Sequence, residues 1–479
     1  MAMRSVRMTL AIGLVVAVAV GVTWSPPGSA IVVEGGSECR VGRGLDPTFG
    51  TRGVANASMS ATEADRFLAL TIAREGRARG MTYGAGFVTR SGDQAMAIAR
   101  LRRNGSFDRS FSGDGIATVN VAVGGRTAEL ARGVVEQSTG RVVVAGPVEH
   151  DPGATGDAAR DTDVAVARVN RRGRLDRRFG ENGITRLDLS TGVAASPTSF
   201  IGDTSWGLTR LRNDRLLVVA AKRAEGRTDR DFAVVKLTAN GRRDRSFGTD
   251  GVVTVDVGHG DESPKQAVVQ PDGKIVVSGY TSSGGVVSPV LFRIHPNGRL
   301  DRSFGTDGIS NVRLLPSVAE AYDVALQGRK LVITGYGRSD PTKPVDLIAA
   351  RFNADGTLDR TFGANGLVRL DVAGDEDRGR DLVVLPDGRL LIAGHTRLSA
   401  TEQNGLLVLL GRNGAVDQTC LRQVDLGGPR DAFFAIELTR GNRGVPEAVV
   451  AGWKGADPAI GGNDDAAMAR LRLDRRHRR

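Results

Sequence analysis

Four side chains that could bind a ligand occur at matching places in a repeated pattern. Tyr280, Tyr336, His395 and Trp453 each follow a glycine that ends a short run rich in Val, Ile, Leu or Ala. Aromatic rings at such positions could stack on a sugar or hold a peptide. A simpler interpretation, which the sequence favours, is that these rings cover the ends of strands.

His395 is also the histidine best placed for acid–base chemistry. With nearby aspartates it could serve a lyase or a hydrolase. The chain has no GxSxG, HExxH, CxxC or GxxxxGK[ST] motif, and its five histidines do not recur at matching positions of the repeat. We therefore predict no catalytic and no cofactor-binding residue. The expected function is a non-catalytic binding or surface-interaction module, with an enzyme using His395 as the alternative.

One acidic segment is dense enough to raise the question of calcium. In DEDRGRD, at 375–381, the carboxylates of Asp375, Asp377 and Asp381 are closely spaced. A calcium loop needs several oxygen ligands together, whereas here two arginines intervene and the glycine is out of place for an EF-hand. We predict no metal site.

These residues sit within repeats. The segment RSFGTDG occurs at 245–251 and again at 302–308, and weaker copies are spread along the chain. Successive copies are 57 to 68 residues apart, a period typical of stacked supersecondary units. The copies share an aromatic landmark, which is Phe49, Phe111, Phe179, Phe247, Phe304 and Phe362, with Cys420 in the seventh place.

The best-preserved repeat contains four short apolar runs bounded by Gly, Pro, Asp or Asn. They cover 252–257, 267–270, 274–280 and 290–294, and their Val and Ile content is typical of strands. Tight PDG and NG turns separate them. Such runs recur seven times, and stacking four-stranded sheets around an axis would bury both of their faces. The sequence thus predicts an all-β fold, a seven-bladed β-propeller of four-stranded antiparallel blades.

The landmark segment RLDRSFGTDG has a structural interpretation. Its Asp would cap its own turn, its Phe would plug the gap between neighbouring blades, and its Gly residues would adopt positive φ. We expect this segment to be the joint from one blade to the next.

The pattern LDxSFGxxG, followed by QPDGKIVVSGYT and a strand such as DFAVVKL, resembles the delta-60 repeat family of secreted bacterial proteins. The resemblance covers about residues 44–474 and is best in repeats four to six. The chain departs from it at Ser112, Arg243 and Cys420. The resemblance implies a propeller and no catalytic residue.

The chain has two cysteines, Cys39 and Cys420. If the ring closes, Cys39 lies just before the first blade and Cys420 opens the last one. In an exported protein a disulfide between them would persist. We predict this disulfide, with two free thiols as the alternative.

The variable loops indicate where binding would occur. In a propeller they open on one face, opposite the tight turns, and such loops on a rigid scaffold usually carry binding sites. They cover 149–163, 222–230, 282–288, 337–345 and 397–404.

The ends of the chain predict export. Residues 1–30 carry Arg4 and Arg7, an apolar run from Leu10 to Trp24 and a small residue, Ala30, at the expected cleavage point. An uncleaved anchor is the alternative, although the run is shorter than a membrane span. We expect a signal peptide at 1–30, a short segment at 31–43, the propeller at 44–474 and a basic tail at 475–479.

The charge and the expected location define the partners. The net charge is +11, and removing Arg4 and Arg7 leaves +9. Because the arginines are scattered through every repeat, we predict a solvated surface and no nucleic-acid binding. We expect a secreted monomer at the bacterial cell exterior, without a membrane span after cleavage, that binds an extracellular protein, a glycan or another cell-surface ligand.

Overall fold

The computed structural model describes residues 44–60, 63–122, 129–151, 153–416, 421–441, 446–455 and 463–473. The predicted signal peptide, the segment at 31–43, both cysteines and the basic tail lie outside the described residues. No helix in the described part of the chain is long and apolar enough to cross a membrane. The helices there are short 3₁₀ turns at Gly76–Ala78, Gly156–Arg160 and Arg212–Asp214.

The described residues are organised almost entirely as short β-strands. The strands are β1 (Val54–Asn56), β2 (Asp65–Ile72), β3 (Thr82–Arg90), β4 (Asp93–Leu101), β5 (Ile116–Val119), β6 (Gly133–Glu136), β7 (Val142–Glu149), β8 (Thr162–Val169), β9 (Ile184–Leu187), β10 (Val193–Ser196), β11 (Ser199–Ile201), β12 (Thr204–Arg210), β13 (Leu216–Arg223), β14 (Arg230–Leu237), β15 (Val252–Val255), β16 (Asp261–Val269), β17 (Ile275–Ser283), β18 (Val286–Ile294), β19 (Ile309–Asn311), β20 (Val318–Gln327), β21 (Lys330–Arg338), β22 (Asp346–Phe352), β23 (Leu367–Leu370), β24 (Asp377–Val384), β25 (Leu390–Arg397), β26 (Gln403–Leu410), β27 (Arg422–Val424), β28 (Ala432–Arg440), β29 (Pro446–Lys454) and β30 (Asp465–Arg472).

Apart from the hairpin of β10 and β11, the strands pair in antiparallel groups of four. Five groups are separate sheets, and two are joined into an eight-stranded sheet by one parallel bridge between Val287 and Val318. The first strand of each group packs beside the first strand of the next group, and β28 packs beside β2, so the order is cyclic. The groups are called unit 1 (β2–β5), unit 2 (β6–β9), unit 3 (β12–β15), unit 4 (β16–β19), unit 5 (β20–β23), unit 6 (β24–β27) and unit 7 (β28–β30 with β1).

The predicted strands are present, but their predicted grouping was wrong by one strand. The sequence predicts that the run starting at Val252 belongs to one sheet with the three runs after it. In the structure it is β15, which pairs with β14 of the preceding unit. Each unit therefore begins one strand later than each sequence repeat.

Because of this offset, the last sheet has only three strands from its own part of the chain, and its fourth strand comes from near the N-terminus. β1 pairs antiparallel with β30, with Val54 opposite Ala469 and Asn56 opposite Ala467. The first described strand thus completes the sheet formed by the last three strands and closes the ring of units.

The core lies between the sheets. Seven of the eight clusters of buried apolar side chains in the described residues draw on two neighbouring units, as where Phe232 of unit 3 packs with Phe292 of unit 4. The six landmark phenylalanines are at most 1% exposed and occupy six different clusters. The prediction that they plug the gaps between sheets is confirmed.

The landmark aspartate has the predicted capping role, and it also has a partner that the sequence analysis missed. Asp301 accepts the backbone N–H of Ser303 at 3.2 Å and pairs with the guanidinium of Arg293 on β18 at 2.7 Å. Arg293 in turn lies over the ring of Phe304 at 4.8 Å. The same arrangement of cation and aspartate recurs as Arg470–Asp46, Arg100–Asp108, Arg168–Asp176, Lys236–Asp244 and Arg351–Asp359.

The landmark segment does not connect one sheet to the next. It joins the third strand to the fourth strand of the same unit, as between β14 and β15. The prediction that this segment is the joint from one blade to the next was therefore wrong. Its glycine has the predicted role, since Gly248 has φ of 57° and a Cβ there would lie 2.2 Å from the carbonyl oxygen of Val252.

Candidate functional site

A β-bulge near the start of the innermost strands builds the candidate site. The register shifts between Ser205 and Gly207 on β12, for example, and the extra residue is Trp206. Bulges redirect side chains, and here the extra residue faces a central cavity of about 110 Å³. The cavity-lining residues at matching positions of units 1 to 7 are Leu68, Arg132, Trp206, Lys265, Tyr322, Arg380 and Phe434, which we call the channel ring.

Cations and aromatic rings alternate around six positions of the channel ring. The ammonium of Lys265 lies 3.7 Å from the centre of the Trp206 ring and 4.4 Å from that of Tyr322. Arg132, the neighbour of Trp206 on the other side in the channel ring, has its guanidinium 4.0 Å from the centre of the Trp206 ring. The Trp206 ring is therefore shared between two cations.

The third cation completes this pattern. The guanidinium of Arg380 lies 4.5 Å from the Tyr322 ring and 4.6 Å from the Phe434 ring. Such contacts stabilise a desolvated cation by about 2 kcal/mol, whereas moving an ion out of water costs several kcal/mol. The aromatic rings offset only part of the cost of burying these charges.

None of the three cations forms an ion pair with any described carboxylate. Lys265 is 2% exposed, and the Nε of Arg380 is buried without a hydrogen-bond partner among the described residues. Burial lowers the pKa of Arg132 to about 10. Burial also lowers the pKa of Lys265 well below its usual value, although the charge of Glu320 acts in the opposite direction.

The four aromatic candidates chosen from the sequence lie directly behind this ring. The hydroxyl groups of Tyr336 and Tyr322 are 3.2 Å apart, and the ring centre of Tyr280 lies 6.5 Å from that of Tyr322. The ring centre of Trp453 lies 4.5 Å from that of Phe434. The structure thus packs the candidates against Tyr322 and Phe434, two residues that line the channel.

His395 occupies the same supporting layer. Its side chain is buried and stacks on Phe434 with ring centres 6.4 Å apart. Burial lowers its pKa well below the usual value, and the charged groups that lower it further are Arg380, Arg378 and Arg397. The charged groups that act on the pKa of His395 are thus arginines, whereas an acid–base role would call for a carboxylate partner.

Two aspartates of the cavity wall form a buried pair. Asp323 and Asp381 hydrogen-bond to each other, and burial raises the pKa of both, which is typical of two carboxyl groups that share a proton. Asp323 also accepts the backbone N–H of Leu382 at 3.1 Å, and Asp381 accepts that of Ile436 at 2.7 Å. The pair links units 5, 6 and 7.

The three aspartates of the segment at 375–381 do not converge. Asp381 faces the channel, Asp375 pairs with Arg397 at 3.7 Å, and Asp377 lies with Asp346 and Asp371.

Two other groups of acidic residues resemble the one around Asp377. They contain Asp163 with His150 and Asp188, and Glu262 with Asp231 and Asp256. In each group an arginine contacts one aspartate: Arg369 contacts Asp346, Arg186 contacts Asp163 and Arg227 contacts Asp231. These arginines supply the positive charge that a metal ion would otherwise provide.

A ring of buried acids was not found from the sequence. It occupies the position three residues before the channel ring in every unit except unit 5, where Ala319 stands. Glu262, for example, accepts the backbone N–H of Val257 at 3.3 Å, and burial raises its pKa to about 8. Burial raises the pKa of the others to between about 6 and about 8, and the ring consists of Asp65, Glu129, Asp203, Glu262, Asp377 and Asp431.

Comparisons with known proteins agree with this architecture. Four segments, 80–111, 270–304, 329–362 and 385–419, match the model of a domain of unknown function, the DUF5122 beta-propeller, and together cover less than half of the chain. The last three lie in the repeats that the sequence analysis judged best preserved, whereas the first lies in a repeat that it found weak. No curated protein matches the chain.

Solved structures are similar at low sequence identity. Sqt1 from Chaetomium thermophilum is 13% identical, with a TM-score of 0.42 over 88% of this chain and 100% of its own. The GH93 alpha-L-arabinofuranosidase of Fusarium graminearum is 10% identical, with a TM-score of 0.45 over 88% and 97%. The polysaccharide lyase Uly1 is 12% identical, with a TM-score of 0.45 over 94% and 100%. The cyclic order of the four-stranded units and the match to the DUF5122 beta-propeller model together show that the chain has a β-propeller fold and carries repeats similar to those of that family.

Proposed function

We propose that the chain is an exported, non-catalytic, seven-bladed β-propeller that binds a ligand in its central channel. The cyclic order of the four-stranded units and the pairing of β1 with β30 support seven blades in one ring. Export rests on the N-terminal sequence, with Arg4 and Arg7 before the apolar run and Ala30 at its cleavage point. We further propose that the mature protein is a monomer and that Cys39 pairs with Cys420.

One observation carries the binding function. Lys265 is buried in the cavity wall without an ion-pair partner among the described residues, and two further cations line the same cavity. Strongly perturbed ionisable groups that gather in a cavity are typical of functional sites. The aromatic residues behind the ring hold it in place, which is the role of a supporting layer in a preorganised binding site.

The same region supports binding better than catalysis. A general acid or base must titrate near the working pH and reach the substrate, whereas His395 is buried among arginines. A glycosidase would hold two carboxyl groups about 5 to 9.5 Å apart, whereas Asp323 and Asp381 hydrogen-bond to each other. Both groups suit a structural role.

A thermal-shift screen tests the binding function. Purified mature protein is screened against sets of organic acids, oligosaccharides and peptides, and each hit is repeated on Trp206→Leu, which alters the channel, and on Arg177→Gln, which alters an exposed residue. We expect hits that the channel variant loses and the surface variant keeps. Hits that are lost in neither variant, or the absence of any hit, would contradict a binding site in the channel.

A further inference from the structure

Building on the proposed binding function, we infer that the ligand of the channel is a compact oxyanion with two or three negative charges. Arg132, Lys265 and Arg380 belong to units 2, 4 and 6, so they approach the cavity from three sides. A small di- or tricarboxylate and a phosphate group share the chemistry that such a set of cations recognises.

The charge balance of the cavity points to an anion. The described residues provide no carboxylate within ion-pair distance of these three cations. Glu320 influences Lys265 only through its charge, and the Asp323–Asp381 pair accepts hydrogen bonds from backbone N–H groups and from within itself. An anion in the cavity would bring negative charge within ion-pair distance of these buried cations, and there it would act strongly.

The contacts of the cations with aromatic rings leave donors available for that anion. A guanidinium that lies flat against an aromatic ring keeps its N–H groups at its edge, where they can bind a carboxylate or a phosphate in bidentate fashion. Arg380 lies between the rings of Tyr322 and Phe434, and its Nε has no partner within the described part of the chain.

The same stacking argues against two other ligand classes. A sugar would need a free aromatic face, but cations cover the rings of Trp206 and Tyr322. A quaternary ammonium would need an aromatic cage, and here the protein's own cations occupy that place. The cavity of about 110 Å³ has room for several water-sized groups, which fits a small molecule.

Titration calorimetry in a phosphate-free zwitterionic buffer tests the ligand class. Citrate and inorganic phosphate are the probes, chloride at matched ionic strength controls for screening, and glucose is the neutral control. We expect one citrate or one phosphate per chain with a dissociation constant of about 1 mM or tighter. Tighter binding of citrate would assign a polycarboxylate, and tighter binding of phosphate would assign a phosphorylated ligand.

Charge-neutralising variants locate the site. Arg380→Gln and Arg132→Gln should each weaken binding about tenfold or more, whereas the matched exposed variant Arg177→Gln should leave it unchanged. Circular dichroism confirms that each variant is folded, and Lys265→Met replaces any variant that is not. Equal weakening by Arg177→Gln would mean that the anions bind the basic surface, and the inference would be wrong.

The two proposals fail in different ways. An oligosaccharide or peptide that depends on Trp206 in the thermal-shift screen, together with no citrate or phosphate binding, would overturn the ligand class and leave the binding function standing. If no ligand of any class depends on the channel ring, both are overturned.

Discussion

The ammonium nitrogen of Lys265 lies 3.7 Å above the centre of the Trp206 ring, 2% exposed and without a carboxylate partner among the described residues. Burying a charge in this way lowers the stability of a fold unless an opposite charge accompanies it. The residue is therefore a direct probe of whether the channel is built for stability or for a ligand.

We expect Lys265→Met to raise the free energy of unfolding at neutral pH by about 1 to 3 kcal/mol, because a neutral side chain of similar length avoids the desolvation of an ammonium. Burial lowers the pKa of Lys265 in the folded state. The cost is thus present at low pH, and it is removed as the pH rises from the folded-state pKa towards that of the unfolded chain. Urea unfolding at pH 6 and pH 10 measures both effects.

The gain from Lys265→Met should be larger at pH 6 than at pH 10. Lys222→Met, on the rim of unit 3, is the matched control and should change little. A loss of stability in Lys265→Met at both pH values would show that the cation–π contacts outweigh the cost of desolvation.

The ring of buried acids should make the protein less stable as the pH rises from about 4 to about 8. Burial raises their folded-state pKa values to between about 6 and about 8, so the folded state binds protons more tightly than the unfolded state. Stability is then highest below the unfolded pKa and is lost as the acids ionise. Glu262→Gln should therefore gain about 1 to 3 kcal/mol relative to the natural chain at pH 8.5 and little at pH 5.

Thermal melting between pH 4 and pH 9 checks this pH dependence. Glu181→Gln, at an exposed position of the opposite face, is the control and should leave the pH profile unchanged. A profile for Glu262→Gln that is parallel to that of the natural chain would rule out a contribution from Glu262.

The landmark ion pairs should have the opposite effect to the buried acids, because they lose their contribution to stability as the pH falls. Hydrogen bonds and charges from Lys274, Ser303 and Arg293 hold the pKa of Asp301 well below its usual value, against the effect of burial. The stability that this carboxylate contributes is present above about pH 4 and is lost below it. Asp301→Ala should cost about 3 to 5 kcal/mol at pH 7, because it leaves Arg293 buried without its partner.

Chemical unfolding at pH 7 measures that loss. The neighbouring exposed variant Arg302→Ala should cost less than about 0.5 kcal/mol. If Asp301→Ala and Arg302→Ala were equally stable, the recurring cation–aspartate pair would have no part in holding the units together.

Removing the strand that closes the ring should change the oligomeric state. A chain that lacks residues 44–56 loses β1 and exposes the backbone N–H and C=O groups of β30, and an unpaired edge strand is prone to pair with another chain. It also removes Asp46, the partner of Arg470. Size-exclusion chromatography should show dimers or larger species.

A synthetic peptide of residues 44–58 provides the control. Added in excess, it should restore the monomer by supplying β1. A truncated chain that stays monomeric and equally stable would show that β1 is not needed for closure.

The disulfide and the export signal are tested together on protein secreted by its natural host. Intact mass and non-reducing peptide mapping should show a chain that begins after Ala30 and a peptide in which Cys39 is joined to Cys420. Such a bond would close a very long loop, worth about 4 to 6 kcal/mol in the chain-entropy model. Two free thiols, or a retained N-terminus, would contradict the corresponding prediction.

The repeat pattern was sufficient to predict the all-β class and most strands, because Val- and Ile-rich runs between Gly, Asp and Asn are a local signal. It could not fix the boundary of a unit. Val252 starts a strand whether that strand belongs to the sheet before it or to the sheet after it. Only its pairing with Val235 shows that it belongs to the sheet before it. Such long-range pairing leaves no trace in a single repeat.

The site was only partly predictable for a related reason. Tyr280 and Tyr336 were found because aromatic residues stand out after a glycine. Lys265 and Arg380 were missed because the bulge that turns them into the channel follows no composition signal. The cation beside each landmark aspartate did leave a sequence signal. In six units a basic residue stands directly before the last apolar residue of the third strand, whereas unit 6 has Leu409 at this position.

The pairing of β1 with β30 also has a consequence for the order of folding. β1 is the first described strand to leave the ribosome, yet its partner is the last described strand. Units 1 to 6 can each form their own sheet as they emerge, whereas unit 7 must wait for the whole chain. Ring closure therefore couples the completion of folding to the completion of synthesis.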